Sequence, residues 1–279
     1  MKRFTVRRLL KEFLFRHRLF LRIRYSGLFL GIWLRMRPAV RRELAAQQRY
    51  YELLLEDLVP GSHRAFDIGA NEGFVSAVLL KKGLLVTALD PDPRNARVLK
   101  ARYSEGKAFR FYPFAAGEAS GWLPFYQQKD GTALSTLEPK WKGLVEKEGY
   151  RLYSGYEEAA QNVKVVTLDE LIGEEGIPCL IKIDVEGYER RVLRGLSRRV
   201  PLLTFEANLP EFLQETQECL DLIALLDPDA RFNYSFDFQY GLEEFIDYVS
   251  FREKLALMDH PCIDVICRMS NYEQYYKKD

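Results

Sequence analysis

Short apolar runs alternate along this chain with stretches whose apolar positions recur every three to four residues, the pattern of buried strands followed by amphipathic helices. The runs at about 64–68, 84–89, 108–114, 179–184 and 201–206 predict strands, and the segments at 73–82, 94–104, 187–197 and 210–226 predict helices between them. Two more strand-like runs near 231–238 and 261–268, joined by residues 241–258, predict a closing antiparallel hairpin. Ahead of the first strand, Leu44, Gln47, Gln48, Tyr51, Leu54, Leu55 and Leu58 share one helical stripe within 41–58, closed by Pro60-Gly61. The expected fold is therefore α/β: a mostly parallel sheet, helices on both faces and an antiparallel C-terminal hairpin. Ligands of such sheets bind beyond the carboxyl ends of the strands, where strand order reverses. Asp67, Asp90, Ala115, Asp184 and Glu206 all fall at predicted strand ends, so they are expected to converge on one crevice.

Glycine sharpens this picture at the first turn, Asp67-Ile68-Gly69-Ala70-Asn71-Glu72-Gly73. A strand enters a tight turn there, Gly69 and Gly73 permit close backbone approach, and a helix beginning near Gly73 offers unpaired N–H groups. Asp90 ends the second strand, 21 residues after Gly69, where a carboxylate can accept hydrogen bonds from ribose hydroxyls. The pattern reads as a nucleoside-cofactor site. The bland alternative is an ordinary strand–helix turn with glycines for packing. It lacks Gly-x-Gly-x-x-Gly, which removes the pyrophosphate cradle a dinucleotide or nucleotide-sugar enzyme would need.

A third strand, Cys179-Leu180-Ile181-Lys182-Ile183, runs into Asp184-Val185-Glu186-Gly187-Tyr188-Glu189. Taken with Asp67 to Asn71, with Leu89-Asp90-Pro91-Asp92-Pro93-Arg94-Asn95 and with Val166-Thr167-Leu168-Asp169-Glu170-Leu171, it resembles the FkbM family of S-adenosylmethionine-dependent O-methyltransferases. The likeness spans about 64–206; Asp90 stands where family members often carry Glu. The resemblance implies a Rossmann-like methyltransferase sheet over 43–279 and S-adenosylmethionine as cofactor. It implies that Asp67, Gly69, Asn71, Glu72, Gly73 and Phe74 hold the methionine part, Asp90 and Pro91 the ribose, and Ala115 and Ala116 the adenine, with Asp184 bordering the cofactor. It also puts Asp184 at the acceptor, either as the base that takes a hydroxyl proton or as ligand to a divalent cation, Mg or Mn. Lys182 and Glu206 would complete the catalytic set, Glu186 and Tyr188 would touch the substrate, and each has a plainer reading: acids suit a helix start, and a lysine neutralises nearby acids. The expected reaction is methyl transfer to a hydroxyl of a small molecule, a sugar or a glycan. A membrane-associated binding or scaffold protein that keeps the fold without transfer is the alternative, opposed by intact Asp67, Asp90 and Asp184.

Residues 117–161 are the least regular stretch and are rich in aromatics, Trp122, Phe125, Tyr126, Trp141, Tyr150, Tyr153 and Tyr156 among them. Such an insert usually carries function, with 131–136 a turn over the cofactor and Trp141 a wall for an acceptor. Packing explains each aromatic equally simply.

Charge separates off the N-terminal arm. Residues 1–42 hold 13 Lys and Arg against Glu12, about +12, while the remainder carries about −11. Val6, Leu9, Leu10, Phe13 and Leu14 form an apolar stripe among basic residues, and 26–34 is apolar for nine residues, well short of the ~20 a spanning helix needs. Arginines follow that run where a signal peptide would need a cleavage site. The arm either lies on an anionic membrane surface on its cytoplasmic side or packs on the acidic body of its own or a second chain. No nucleic-acid reader motif accompanies the arginines, so a nucleic-acid partner is not expected. Cysteines at 179, 219, 262 and 267 form no Cys-x-x-Cys pair, and three histidines lack metal-ligand spacing; both point to a reducing, cytoplasmic setting without zinc.

Overall fold

The computed structural model describes residues 21, 23–25, 27–61, 63–103, 106–129, 133–148 and 155–276. The predicted apolar stripe from Val6 to Leu14, together with Gly131, Thr132, Tyr150 and Tyr153, lies outside them. Helices α1 (Gly27–Arg35) and α2 (Pro38–Leu54) lead into the sheet. There follow β1 (Arg64–Ile68), α3 (Phe74–Lys81), β2 (Leu85–Leu89), α4 (Pro93–Arg102) and β3 (Phe109–Tyr112). After the insert come α6 (Leu168–Glu175), β7 (Leu180–Ile183), α7 (Glu189–Leu193), β8 (Leu202–Asn208), α8 (Leu213–Leu226), β9 (Arg231–Phe236), β10 (Gln239–Tyr240), α9 (Tyr248–Leu255) and β11 (Cys262–Arg268).

One eight-stranded sheet runs β10-β9-β11-β8-β7-β1-β2-β3. Strands β3, β2, β1, β7 and β8 are parallel, and β11 slots antiparallel between β8 and β9. Chain order reverses between β1 and β7, so the turns that follow them face each other, as expected of the switch point. Because side chains alternate, β1 sends Phe66 and Ile68 to one face and Ala65 to the other. The first face packs on α6, α7 and α8 through Leu171, Val192 and Leu220; the second packs on α2 and α3 through Tyr50, Tyr51, Leu54, Val75 and Leu79.

Four expectations need correction. The insert is not irregular: β4 (Ala115–Ala116), β5 (Gly121–Phe125) and β6 (Gln161–Val166) make a second sheet in the order β4-β6-β5, and helix α5 (Pro139–Glu148) lies in the connection between β5 and β6. Ala115 therefore belongs to this small sheet rather than to the end of β3, and Glu206 lies two residues inside β8. Helix α7 is also shorter than predicted. Gly195 beyond its end packs so tightly on the Gly117 carbonyl that no Cβ would fit, and the chain turns there into β8.

The arm is divided between two environments. Leu21 is buried against Val98 and Ala101 of α4, and Arg102 lies 5.0 Å over the Tyr25 ring. Helix α1 instead exposes Phe29 and Ile32, with Met36 just beyond it. Among the described residues no helix is long and apolar enough to cross a membrane.

Candidate active site

The turns after β1, β2 and β7 enclose a crevice of about 230 Å³. Its lining takes in Gly69, Asn71, Asp90, Pro91, Ala115, Ala116, Asp184, Glu186 and Tyr188 of the predicted residues. Ile68, Leu89, Phe114, Phe125 and Leu137 supply its apolar walls, and Asp92, Asn95, Ser135 and Thr136 add polar groups.

Lys182 organises the polar end from beneath. Its side chain is almost wholly buried, and the ammonium pairs with Asp184 Oδ2 at 3.1 Å and Asp67 Oδ1 at 3.5 Å while donating to the Gly69 carbonyl at 3.1 Å. Burial, the largest influence, lowers the lysine pKa, but Asp184 and Asp67 outweigh it and hold the ammonium charged. Asp67 is fully buried on β1 and accepts from Ser76 Oγ at 2.6 Å. One lysine thus ties the β1 turn to the β7 turn.

Asp90 is clamped by three donors: Asn71 N at 2.8 Å, Asp92 N at 2.9 Å and Asn95 Nδ2 at 3.0 Å. Burial, then the nearby Asp92, push its carboxyl up to about 7 despite those bonds. Asp92 caps α4 by accepting from Arg94 N at 2.8 Å, takes Gln127 Nε2 at 3.0 Å, and lies 3.5 Å from Ser135 Oγ.

At the other end Asp184, Glu186 and Glu206 each place a carboxylate oxygen within 4.8 Å of the others. Glu186 sits in the left-handed region at φ 58°, and Thr136 Oγ1 donates to its carbonyl at 2.7 Å, so the insert braces this turn. Burial and then Glu206 drive the Glu186 carboxyl well upward; burial and then Asp184 do the same to Glu206, although Cys262 Sγ donates to it at 2.9 Å. Glu189, accepting from Val185 N at 3.0 Å, is pushed up to about 7 chiefly by burial. Asp264 stands opposite Glu206 across the β8–β11 ladder and is likewise raised to about 7 by burial and then by Asp184.

Several predicted residues stand outside the crevice. Glu72 turns its carbonyl to Arg102 Nη1, whose guanidinium lies 4.6 Å over the Phe74 ring. Gly73 is packed so closely on Leu99 and Tyr103 that a Cβ would collide with them. Trp141 is buried edge-on against Phe212 and offers no open face to an acceptor, which corrects its reading as a wall. Sequence reasoning missed Tyr51, Asp92 and Asp264, whereas Ala133, Ser135 and Thr136, from the stretch read as a turn over the cofactor, line the crevice. The Asp92-Pro93 pair carried a capping signal that could have exposed Asp92. Tyr51 is buried on α2, and its phenol, raised chiefly by burial and then by Asp264, also senses Lys182, Asp67 and Asp184. Nothing local marks Tyr51 or Asp264, because tertiary packing alone brings them here.

Strand order 3-2-1 continued by β7, β8 and an inserted antiparallel strand, with an acid after β2 and a second after β7 facing one crevice, is a Rossmann-like sheet with a ligand site at its switch point. The family model of the methyltransferase FkbM domain matches residues 67–237, more than half of the chain. The protein belongs to the FkbM methyltransferase family.

Among solved structures, a TehB-like SAM-dependent methyltransferase from Corynebacterium glutamicum shares 11% identity over 86% of this chain and 100% of that one, TM-score 0.42. The plantazolicin methyltransferase BpumL with a desmethylPZN analogue and SAH shares 10% over 95% and 99%, TM-score 0.41. Precorrin-6y C5,15-methyltransferase from Geobacter metallireducens shares 13% over 78% and 87%, TM-score 0.36. Likenesses this distant carry no weight for the acceptor. No curated protein matches the sequence significantly.

Proposed function

We propose that the protein transfers a methyl group to a hydroxyl oxygen of a sugar, a glycan or another small molecule at the acid-rich end of the crevice. The observation that carries this reading is the position of Asp184, which lines the crevice while Lys182 fixes it at 3.1 Å from behind. S-adenosylmethionine, when bound, supplies an electrophilic methyl on a cationic sulfonium. The crevice suits it chemically: apolar walls at Leu89, Phe114, Ala115, Ala116 and Phe125 for a purine, Asp90 with Pro91 for the ribose, and carboxylates toward the positive charge. Gly69 and Asn71 of the β1 turn, which line the crevice, form the flank for the methionine part. Through its pair with Lys182, Asp184 is held in one orientation, ready to take the acceptor proton as the new carbon–oxygen bond forms.

A second version gives the cluster a divalent cation, with Asp184, Glu186 and Glu206 as ligands to Mg or Mn that acidify the hydroxyl. Activity that survives chelator favours the direct base; activity lost to chelator and restored by magnesium or manganese favours the cation. Sugar as acceptor is supported by the Tyr188 ring along the lining, next to Glu186. The arm is read as a peripheral contact with an anionic membrane on its cytoplasmic side, because Phe29, Ile32 and Met36 are exposed among Arg35, Arg37, Arg41 and Arg42. Flotation on anionic vesicles that is unchanged by deleting residues 1–36 would refute it.

Calorimetric titration with S-adenosylhomocysteine tests the cofactor site, with Asp90→Ala as control. Loss of about 1–3 kcal/mol of binding in the variant is expected from a charge-assisted bond. Equal affinity in both proteins would place the ribose elsewhere.

A further inference from the structure

We propose that the groove where the small sheet meets β3 and α6 is a second binding site, and that its ligand is a neutral saccharide. The groove encloses about 350 Å³ and is lined by Tyr112, Phe114, Trp122, Lys164, Glu170 and Glu174 among others. That volume falls at the lower end of the ~300–1,000 Å³ of small-molecule sites. It lies outside the crevice, which it meets only at Phe114.

The lining combines two chemistries that recognise a pyranose. Trp122 is 68% exposed on β5, an edge strand, and half-buried Phe114 and Tyr112, their rings 5.8 Å apart, line the same groove. An indole left in water over a groove is a platform for the C–H face of a sugar ring. The polar groups are mostly acceptors, which suits the hydroxyl donors around that ring. Glu174 receives the Tyr112 hydroxyl at 2.6 Å, and Glu170 receives Ser120 Oγ and the Thr167 N–H at 3.1 Å, so both carboxylates are held while keeping acceptor positions open.

Charge decides against the commonest rival ligands. Lys164 is the one cation named in the lining, and its ammonium lies 4.2 Å over the Phe114 ring. A phosphate would meet two carboxylates for that one ammonium, so nucleotides and phospholipid headgroups are disfavoured. Aromatic rings with two fixed carboxylates leave an uncharged, hydroxyl-rich ligand as the best fit. The site makes no use of Asp184 and stands whatever the methyl acceptor is.

The test titrates the full-length protein, with and without S-adenosylhomocysteine, against maltotriose, cellotriose, mannotriose and chitotriose. Tryptophan fluorescence and saturation-transfer NMR provide the readouts. At least one trisaccharide should shift the fluorescence; Trp122→Ala should weaken its binding on the order of tenfold, Trp122→Phe should keep most of it, and the affinity for S-adenosylhomocysteine should be the same in all three proteins. Absence of binding by all four sugars would overturn the proposal, as would binding that Trp122→Ala leaves intact. Tighter binding of glucose 6-phosphate than of glucose would overturn the neutral ligand.

Discussion

Replacing Gly69 by Ala should damage the protein far more than its single methyl suggests. Gly69 has φ +78°, and a Cβ there would approach the Asp184 carbonyl oxygen more closely than the 3.0 Å that real Cβ atoms keep. Neither backbone can retreat cheaply: Gly69 N–H is bonded to Leu89 O at 2.9 Å and Asp184 N–H to Ile68 O at 3.0 Å. The left-handed conformation itself costs about 1–2 kcal/mol with a side chain. Forcing β1 and β7 apart would break the Asp184–Ile68 bond and leave buried groups unpaired, a further ~1–3 kcal/mol. The expected loss is ~2–5 kcal/mol, read from urea unfolding at constant m-value. Gly83→Ala is the internal control, since Gly83 has nearly the same φ, +84°, with nothing within 4 Å of its would-be Cβ. It should lose only the conformational part. If Gly69→Ala is no less stable than Gly83→Ala, the close approach of the two turns is not what this glycine serves.

Lys182→Met should cost about 3–5 kcal/mol of stability, because Asp67 would keep its buried charge without a cation; a Tm equal to wild type would contradict the pairing. Asp184→Asn should retain binding of S-adenosylhomocysteine and lose turnover once an acceptor is known, and an active variant would exclude the base. Stability should fall as pH rises from about 5 to 8. Asp90, Glu189 and Asp264 have folded pKa values of about 7, above the ordinary carboxyl range. The folded state therefore binds more protons than the unfolded one in that window and loses stability as it is made to ionise, by at least ~2 kcal/mol in total. A flat or rising Tm across that window would show that these carboxyls are not desolvated.

The parallel core was legible because its signals are local. Runs such as Leu180-Ile181-Lys182-Ile183 are short, continuous and stopped by charge, and the turns at Gly69 and Asp90 carry their own residue chemistry. Asp90 and Asp184 line one crevice from their strand ends, while Asp67 lies buried inside β1 and is joined to Asp184 through Lys182. The small sheet was hidden because one strand has two residues, another contains Pro124, and its pairing partner begins at Gln161, 36 residues beyond Phe125. Trp141 misled because an aromatic in an insert looks the same in sequence whether it faces water or Phe212. Asp264 joins the acid cluster only through its register opposite Glu206, which no spacing within β11 announces.

The clamp on Asp90 sets a limit on whatever binds beside it. A carboxylate offers roughly four acceptor positions. Asn71, Asp92 and Asn95 already occupy three of them. A neighbouring pair of hydroxyls therefore finds one strong partner rather than two, and the turn works as a counter of donors. Analogues lacking one hydroxyl or the other should separate sharply in affinity, the deficit falling almost wholly on the one that has lost the bonded group.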